Sequence, residues 1–228
     1  MEVSLLGNVT QYSAVNLIRE AHVDPEVWSR IPDEKDVVDT VRAVETHGVR
    51  VIRVDTGEQA LNAITRLIPP GAEVMHGSST TLIEIGYEDL LYSGKTGWID
   101  IHEAITAEND GQKRAEIRRK SVTSEYFLSS ANAIAKTGEI LACDMSGSRT
   151  GAWPFAAGHL ILVVGVNKIV SSLEDAMKRI REYAFPLEDV RAQHVYGIHS
   201  RIGKCVILAY EASEGRTTLI LVNKRLGY

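Results

Sequence analysis

The 228 residues carry 44% hydrophobic and 24% charged side chains, the mixture of a folded protein of one domain or one domain with an appendage. Lys and Arg number 25 against 30 Asp and Glu, and the resulting net charge of −5 has the wrong sign for a dedicated nucleic-acid binder. The two cysteines, Cys143 and Cys205, form no CxxC pair, which excludes disulfide scaffolds, zinc ribbons and cysteine-ligated clusters.

The longest apolar run, Leu160 to Val166 with Gly165 inside it, falls far short of the ~18 residues that a membrane span needs. Glu2 and the lack of a basic start argue against a secretory signal. The expectation is a cytoplasmic protein with no membrane and no nucleic-acid partner.

Residues 1–34 read as an N-terminal helical extension. Asn8-Val9-Thr10 is placed to cap a helix running to Ala21, and Asp24-Pro25 restarts the chain. The extension packs on the domain or on a partner subunit; in an assembly role Tyr12, Leu17, Ile18 and Trp28 hold partner subunits. Residues 35–228 form the main domain.

Asp36 to His47 reads as a helix ended by Gly48, and Val49 to Val54 as a short strand. Thr56 and Gln59 make a capping box ahead of Ala60, Leu61, Ile64, Leu67 and Ile68, which share one helical face. A strand over Ala72–His76, a helix over Thr81–Leu91 and a strand over Trp98–His102 follow. Glu108 to Lys120 is a polar helix, and its five basic residues from Lys113 onward read as a solvated face or, alternatively, as one that steers an acidic substrate or subunit.

Strands are predicted at Glu125–Ser130 and Glu139–Asp144. Leu160 to Val166, apolar throughout, reads as a central strand covered on both faces. A helix over Ser171–Ala184 precedes two closing strands, Cys205–Tyr210 and Thr217–Val222, read as antiparallel neighbours turning at Glu214-Gly215. The alternation specifies an α/β fold with a mostly parallel sheet and helices on both faces. In such sheets ligands sit beyond the carboxyl ends of the strands.

Four loops lie at such ends. Gly77-Ser78-Ser79-Thr80-Thr81 offers a sharp turn, free N–H groups and hydroxyls, a cradle for phosphate or carboxylate. Thr81 and Glu84 are also spaced as a capping box, so Glu84 reads as a catalytic carboxylate or, more simply, as a cap. Ser130 and Asn132 lie in a second loop, where Asn132 either holds a left-handed turn or presents its amide to a ligand. The third loop, Asp144 to Gly151, contains Gly147 and Arg149, whose guanidinium either clamps an anion or pairs with Asp144. In the fourth, Asn167 and Lys168 follow the buried strand, and Lys168 is a solvated surface lysine, an anion ligand, or a desolvated base or Schiff-base amine.

GxGxxG, GxxxxGK[ST] and GxSxG are absent, so neither a dinucleotide fold, a P-loop nor an α/β-hydrolase is indicated, and no cofactor is assigned. His102-Glu103 lacks a second His four residues on, His194 and His199 are a weak metal hint, and no metal is expected. Cys143 reads as a packing residue.

In order, these segments resemble the lactate-utilisation (LUD) domain family, the LutC-like proteins. The resemblance rests on Leu67-Ile68-Pro69-Pro70-Gly71-Ala72, Gly77 to Gly86, Ser130-Ala131-Asn132-Ala133-Ile134, Asp144 to Arg149, Val163 to Val170 and Leu226-Gly227-Tyr228. It implies a fold like that of ribose-phosphate isomerase, glucosamine-phosphate deaminase and coenzyme A transferases, and a role in conversion of L-lactate to pyruvate beside iron–sulfur partner subunits. Two departures stand out. Gly147-Ser148-Arg149 replaces the Gly-Asn-Arg of many members, and the cysteine-rich segment that many carry near the C-terminus is reduced to Cys205.

The function expected is binding of a small anionic metabolite, a 2-hydroxy or 2-oxo acid or a phosphorylated compound. The alternatives are a non-catalytic assembly subunit of an iron–sulfur oxidase, and a stand-alone enzyme acting on a phosphosugar or acyl-coenzyme A through Glu84 or Lys168. A homo-oligomer is compatible with each.

Overall fold

The computed structural model describes residues 14–228. Two short helices, α1 (Ala14–Ala21) and α2 (Pro25–Trp28), lead into α3 (Glu34–Thr46), β1 (Arg50–Val54), α4 (Gly57–Leu67) and β2 (Glu73–His76). Next come α5 (Thr80–Glu84), α6 (Tyr87–Tyr92), β3 (Ile99–Asp100), α7 (Ile101–Ala107), α8 (Gly111–Lys120) and β4 (Tyr126–Ser129). The chain continues through β5 (Ala133–Ala135), β6 (Ile140–Asp144), α9 (Ser148–Gly151), β7 (His159–Gly165), β8 (Ile169–Val170) and α10 (Leu173–Arg179). It closes with α11 (Phe185–Tyr196), β9 (Lys204–Leu208) and β10 (Thr217–Val222).

Six strands form one parallel sheet in the order β1-β10-β7-β4-β2-β3. Its residues alternate between two cores. Phe127, Leu160, Leu162, Leu219 and Leu221 pack with Val37 and Val44 of α3, Ile105 of α7 and Trp153. Leu128, Ile161, Val163, Ile220 and Val222 turn to the other face, against Ala60 and Ile64 of α4, Leu82 and Tyr87. The fold is therefore α/β with helices on both faces, as the alternating pattern requires. Four further strands make a second, mixed sheet in the order β8-β5-β6-β9, whose Ile134, Ile140 and Ala142 join the first core.

The closing strands depart from the sequence reading. Thr217–Val222 does not pair with the strand before it but lies between β1 and β7, parallel to both. All six of its residues are buried, which only a central position satisfies. The strand beginning at Lys204 joins the second sheet antiparallel to β6, with three of its five residues exposed. Three helix boundaries differ as well. Gly86, at φ 81°, separates α5 from α6 where one helix was expected. Asp100 accepts the His102 N–H at 2.9 Å and starts α7 where a strand was expected to continue. The helix after Ser172 does not stop at Ala184 but passes through a π-turn into α11, which Gly197 ends at φ 68°.

The cap expected at Asn8–Thr10 and the contact residue Tyr12 lie outside the described residues. Leu17, Ile18 and Trp28, read as contacts to partner subunits in an assembly role, pack against Tyr183, Ala184, Leu187 and Tyr228 of this same chain. Asn167 Nδ2 donates to Ser29 Oγ at 2.9 Å, and Arg179 Nε donates to the Trp28 carbonyl at 2.7 Å. Among the described residues no helix is long and apolar enough to cross a membrane.

Candidate functional site

The central neighbours β7, β4 and β2 run parallel, so their carboxyl ends reach one rim and deliver Lys168, Ser130 and Gly77 to the same place. Gly77 donates its N–H to the Leu128 carbonyl at 3.1 Å, which ties the loop to β4. A Cβ at Gly77 would sit 3.3 Å from Arg149 Cδ, so the small residue lets the Arg149 stem lie along the loop. Ser79, not Thr81, caps α5, its hydroxyl accepting the Leu82 N–H at 3.3 Å. The capping box expected at Thr81 and Glu84 is not formed.

Lys168 is buried rather than solvated, with 1% of its surface exposed. Its Nζ lies 3.0 Å from Thr81 Oγ1, 3.1 Å from Ser130 Oγ and 3.0 Å from the Ala131 carbonyl. Burial first, and then the nearby Arg179, lowers its pKa well below the ordinary lysine range.

Arg149 does not pair with Asp144. Its guanidinium donates to the Ser130 carbonyl at 3.5 Å, to Asn132 Oδ1 at 3.3 Å and to the Cys143 carbonyl. Asp144 instead accepts the N–H groups of Gly147 at 2.5 Å and Thr150 at 2.9 Å, which caps α9 and holds Arg149 in place. Gly147 supplies the left-handed turn, φ 96°, that starts this helix. Asn132 adopts no left-handed conformation; its Oδ1 accepts the Cys143 N–H at 2.8 Å and so braces β6 beside Arg149.

A third cation lies behind these two. Arg179 is fully buried, donates to the carbonyls of Trp28 and Asn132, and leaves Nη2 with no hydrogen-bond partner among the described residues. Burial pulls its pKa down to about 10, which still leaves it charged at neutral pH. Arg149, Lys168 and Arg179 thus gather around residues 130–132, and none of them forms an ion pair with a carboxylate among the described residues.

In front of this cluster opens a cavity of about 430 Å³. Gly77 through Thr81, Ser130, Asn132, Asp144, Arg149 and Lys168 all line it. Three candidates do not. Glu84 is turned away, its Oε2 accepting the Gly227 N–H at 2.6 Å; burial raises its pKa, against the pull of that N–H and of Lys168. Asn167 is a structural clamp between Ser29 and the Leu226 N–H, the latter at 3.0 Å. Gly147 only shapes the Arg149 loop.

The opposite wall comes from segments that sequence reasoning passed over. Glu188 and Arg191 of α11 face the cavity, joined by two hydrogen bonds of 2.8 and 2.7 Å, and Tyr228 donates its hydroxyl to Glu188 Oε2 at 2.6 Å. Burial, with Glu188 beside it, raises the Tyr228 pKa, so the hydroxyl stays a donor. Arg201 and Arg118 stand at the mouth, and Arg118 reaches Ser146 Oγ at 3.3 Å. The i,i+3 spacing of Glu188 and Arg191 was a readable signal of their pairing; its place over the cavity was not. His194 and His199 do not share a site, since His194 meets Glu20 and His199 meets Asp189. No group of three or more metal-binding side chains occurs among the described residues.

The fold and this site together define an α/β protein with a cation-lined cavity at the carboxyl rim of its parallel sheet. A family model for the LUD domain matches residues 37–222, and the chain belongs to that family, which is associated with lactate utilisation. No curated protein matches the chain. Among solved structures it is similar to a DUF162 family protein from Deinococcus radiodurans, determined by crystallography at 1.70 Å resolution. That likeness has a TM-score of 0.49 and 12% identity, and covers 83% of this chain and 97% of the other.

Proposed function

We propose that this chain is a LutC-like lactate-utilisation protein whose cavity binds an organic anion, a 2-hydroxy or 2-oxo acid or a phosphorylated metabolite. The observation that carries the reading is the set of three clustered basic side chains, Arg149, Lys168 and Arg179, with no carboxylate paired to any of them among the described residues. Burying charge without a counter-ion is costly, and a bound anion relieves that cost. The unused N–H groups of Arg149 and the hydroxyls of Ser78 and Thr80 offer it hydrogen bonds.

Cavity size narrows the ligand class. A volume of about 430 Å³ falls in the range of roughly 300–1,000 Å³ used for drug-sized ligands. A three-carbon acid fills little of it, which favours a phosphorylated or otherwise extended acid. Oxidation of a hydroxy acid requires an electron acceptor, and in this reading an iron–sulfur partner subunit supplies it. The stand-alone enzyme reading loses Glu84, which does not reach the cavity, and rests on Lys168 alone.

Titration calorimetry with lactate, pyruvate, inorganic phosphate and phosphorylated three-carbon acids tests the proposal. At least one of these anions should bind, and Arg149→Ala should weaken it about 10²-fold, the loss of a charge-assisted contact of ~3 kcal/mol. Absence of binding by every anion in the series overturns it.

A further inference from the structure

β6 and β9 run antiparallel, and their register sets Cys143 directly opposite Cys205. The phase of the ladder follows from neighbouring bonds. Gly203 donates its N–H to the Asp144 carbonyl at 3.1 Å, so Asp144 faces β9 with its backbone and Cys143 faces away. Accordingly, the Cys143 N–H goes to Asn132 Oδ1 and its carbonyl accepts Arg149. Cys143 and Cys205 therefore form a non-hydrogen-bonded pair, in which Cα atoms lie ~4.5 Å apart and side chains approach most closely. That spacing falls within the ~4.4–6.8 Å that a disulfide spans. Both thiols are free, Cys205 exposed and Cys143 half-buried, and Cys205 acts on the ionisation of Cys143.

We infer that Cys143 and Cys205 are a modification site, a dithiol that closes to a reversible cross-strand disulfide by exchange with a low-molecular-weight disulfide. The exposed Cys205 thiolate attacks one sulfur of the small disulfide, forming a mixed disulfide and releasing one thiol. Cys143 then gives its proton to water and attacks Cys205 Sγ, which expels the second thiol. The protein dithiol loses two electrons, and the small disulfide is reduced to two thiols. Burial, together with Cys205 alongside, pushes the Cys143 thiol up to about 12, which assigns first attack to Cys205 and resolution to Cys143.

The bond would act on the cavity wall. Cys143 lines the cavity, and Ile198 through Ile202, which also line it, run directly into β9. A link at Cys205 pins this outer wall to the strand whose backbone holds Arg149 and Asn132.

The test treats the full chain with glutathione disulfide, alkylates free thiols, and maps peptides by mass spectrometry without reduction. Amide hydrogen exchange over residues 198–203 is followed in parallel. The inference expects a linked Cys143–Cys205 peptide within one molecule, reversed by dithiothreitol, and exchange slowed about tenfold, the effect of ~1.4 kcal/mol on local opening. Cys143→Ser should stop at a glutathione adduct on Cys205. Wild type that retains glutathione on Cys205 with Cys143 free, or that links only between molecules, overturns the modification site. A linked chain with unchanged exchange overturns the pinned wall. Neither readout uses an anion, so the result is independent of the ligand reading.

Discussion

Arg149 and Lys168 grip the same residue from its two ends: the guanidinium donates to the Ser130 carbonyl at 3.5 Å, and the ammonium lies 3.1 Å from the Ser130 hydroxyl. Two basic side chains 19 positions apart in sequence are thereby brought around one short loop, and neither is ion-paired with a carboxylate among the described residues. Such an arrangement stores repulsion that a ligand anion removes, and it makes the consequences of losing either charge distinct.

Lys168→Met keeps the stem and removes the charge. The Ser130 hydroxyl already donates to Thr81 Oγ1 at 3.2 Å and keeps that partner, and the repulsion toward Arg179 disappears. Urea denaturation should show stability unchanged within about 1 kcal/mol or increased, as for other buried charges replaced by apolar groups. Calorimetry with the anion bound by wild type should show affinity reduced about tenfold or more, the loss of ~1.4 kcal/mol. A loss of several kcal/mol in stability would show that the amine is a structural pin.

His76, at the end of β2, is buried, and neither ring nitrogen has a partner among the described residues. Burial, aided by His102, lowers its pKa from 6.5 to about 4. The unfolded chain therefore binds the extra proton first, so this histidine's contribution is complete above pH 6.5 and is lost as pH falls toward 4. At pH 5 the loss relative to pH 7 should be about 2 kcal/mol, from 1.36 kcal/mol per unit. His76→Phe conserves the ring and should flatten the difference between urea curves at pH 7 and 5. An undiminished difference in the variant would assign the acid lability elsewhere.

Leu17, at 2% exposure, fills a pocket made by Tyr183, Leu187 and Tyr228. Leu17→Ala should lower unfolding stability by about 2–5 kcal/mol, the usual cost of such a cavity. Thermal melting of the isolated chain measures it. An unchanged melting temperature would mean that the extension serves only a partner.

Much of the architecture was legible because it rests on local periodicity. The one-sided helix after Thr56 and the apolar strand through Val164 each carry their burial pattern in their own residues, and alternation of the two types dictates a covered parallel sheet. The cradle residues from Gly77 to Thr81, with Ser130, Arg149 and Lys168, were also marked by position at strand ends. Strand order was not legible, because β9 and β10 both read as short apolar strands, and side-chain pattern says little about which neighbour a strand takes. Nor could spacing decide between paired and unpaired charges. Arg149 and Asp144 are close in sequence, yet Asp144 is consumed by two N–H groups of α9, while Glu84 leaves its helix to hold Gly227. Hydrogen bonding in the folded chain is a competition among all groups within reach, and the set within reach exists only once distant segments such as α11 and residues 226–228 have closed around the rim.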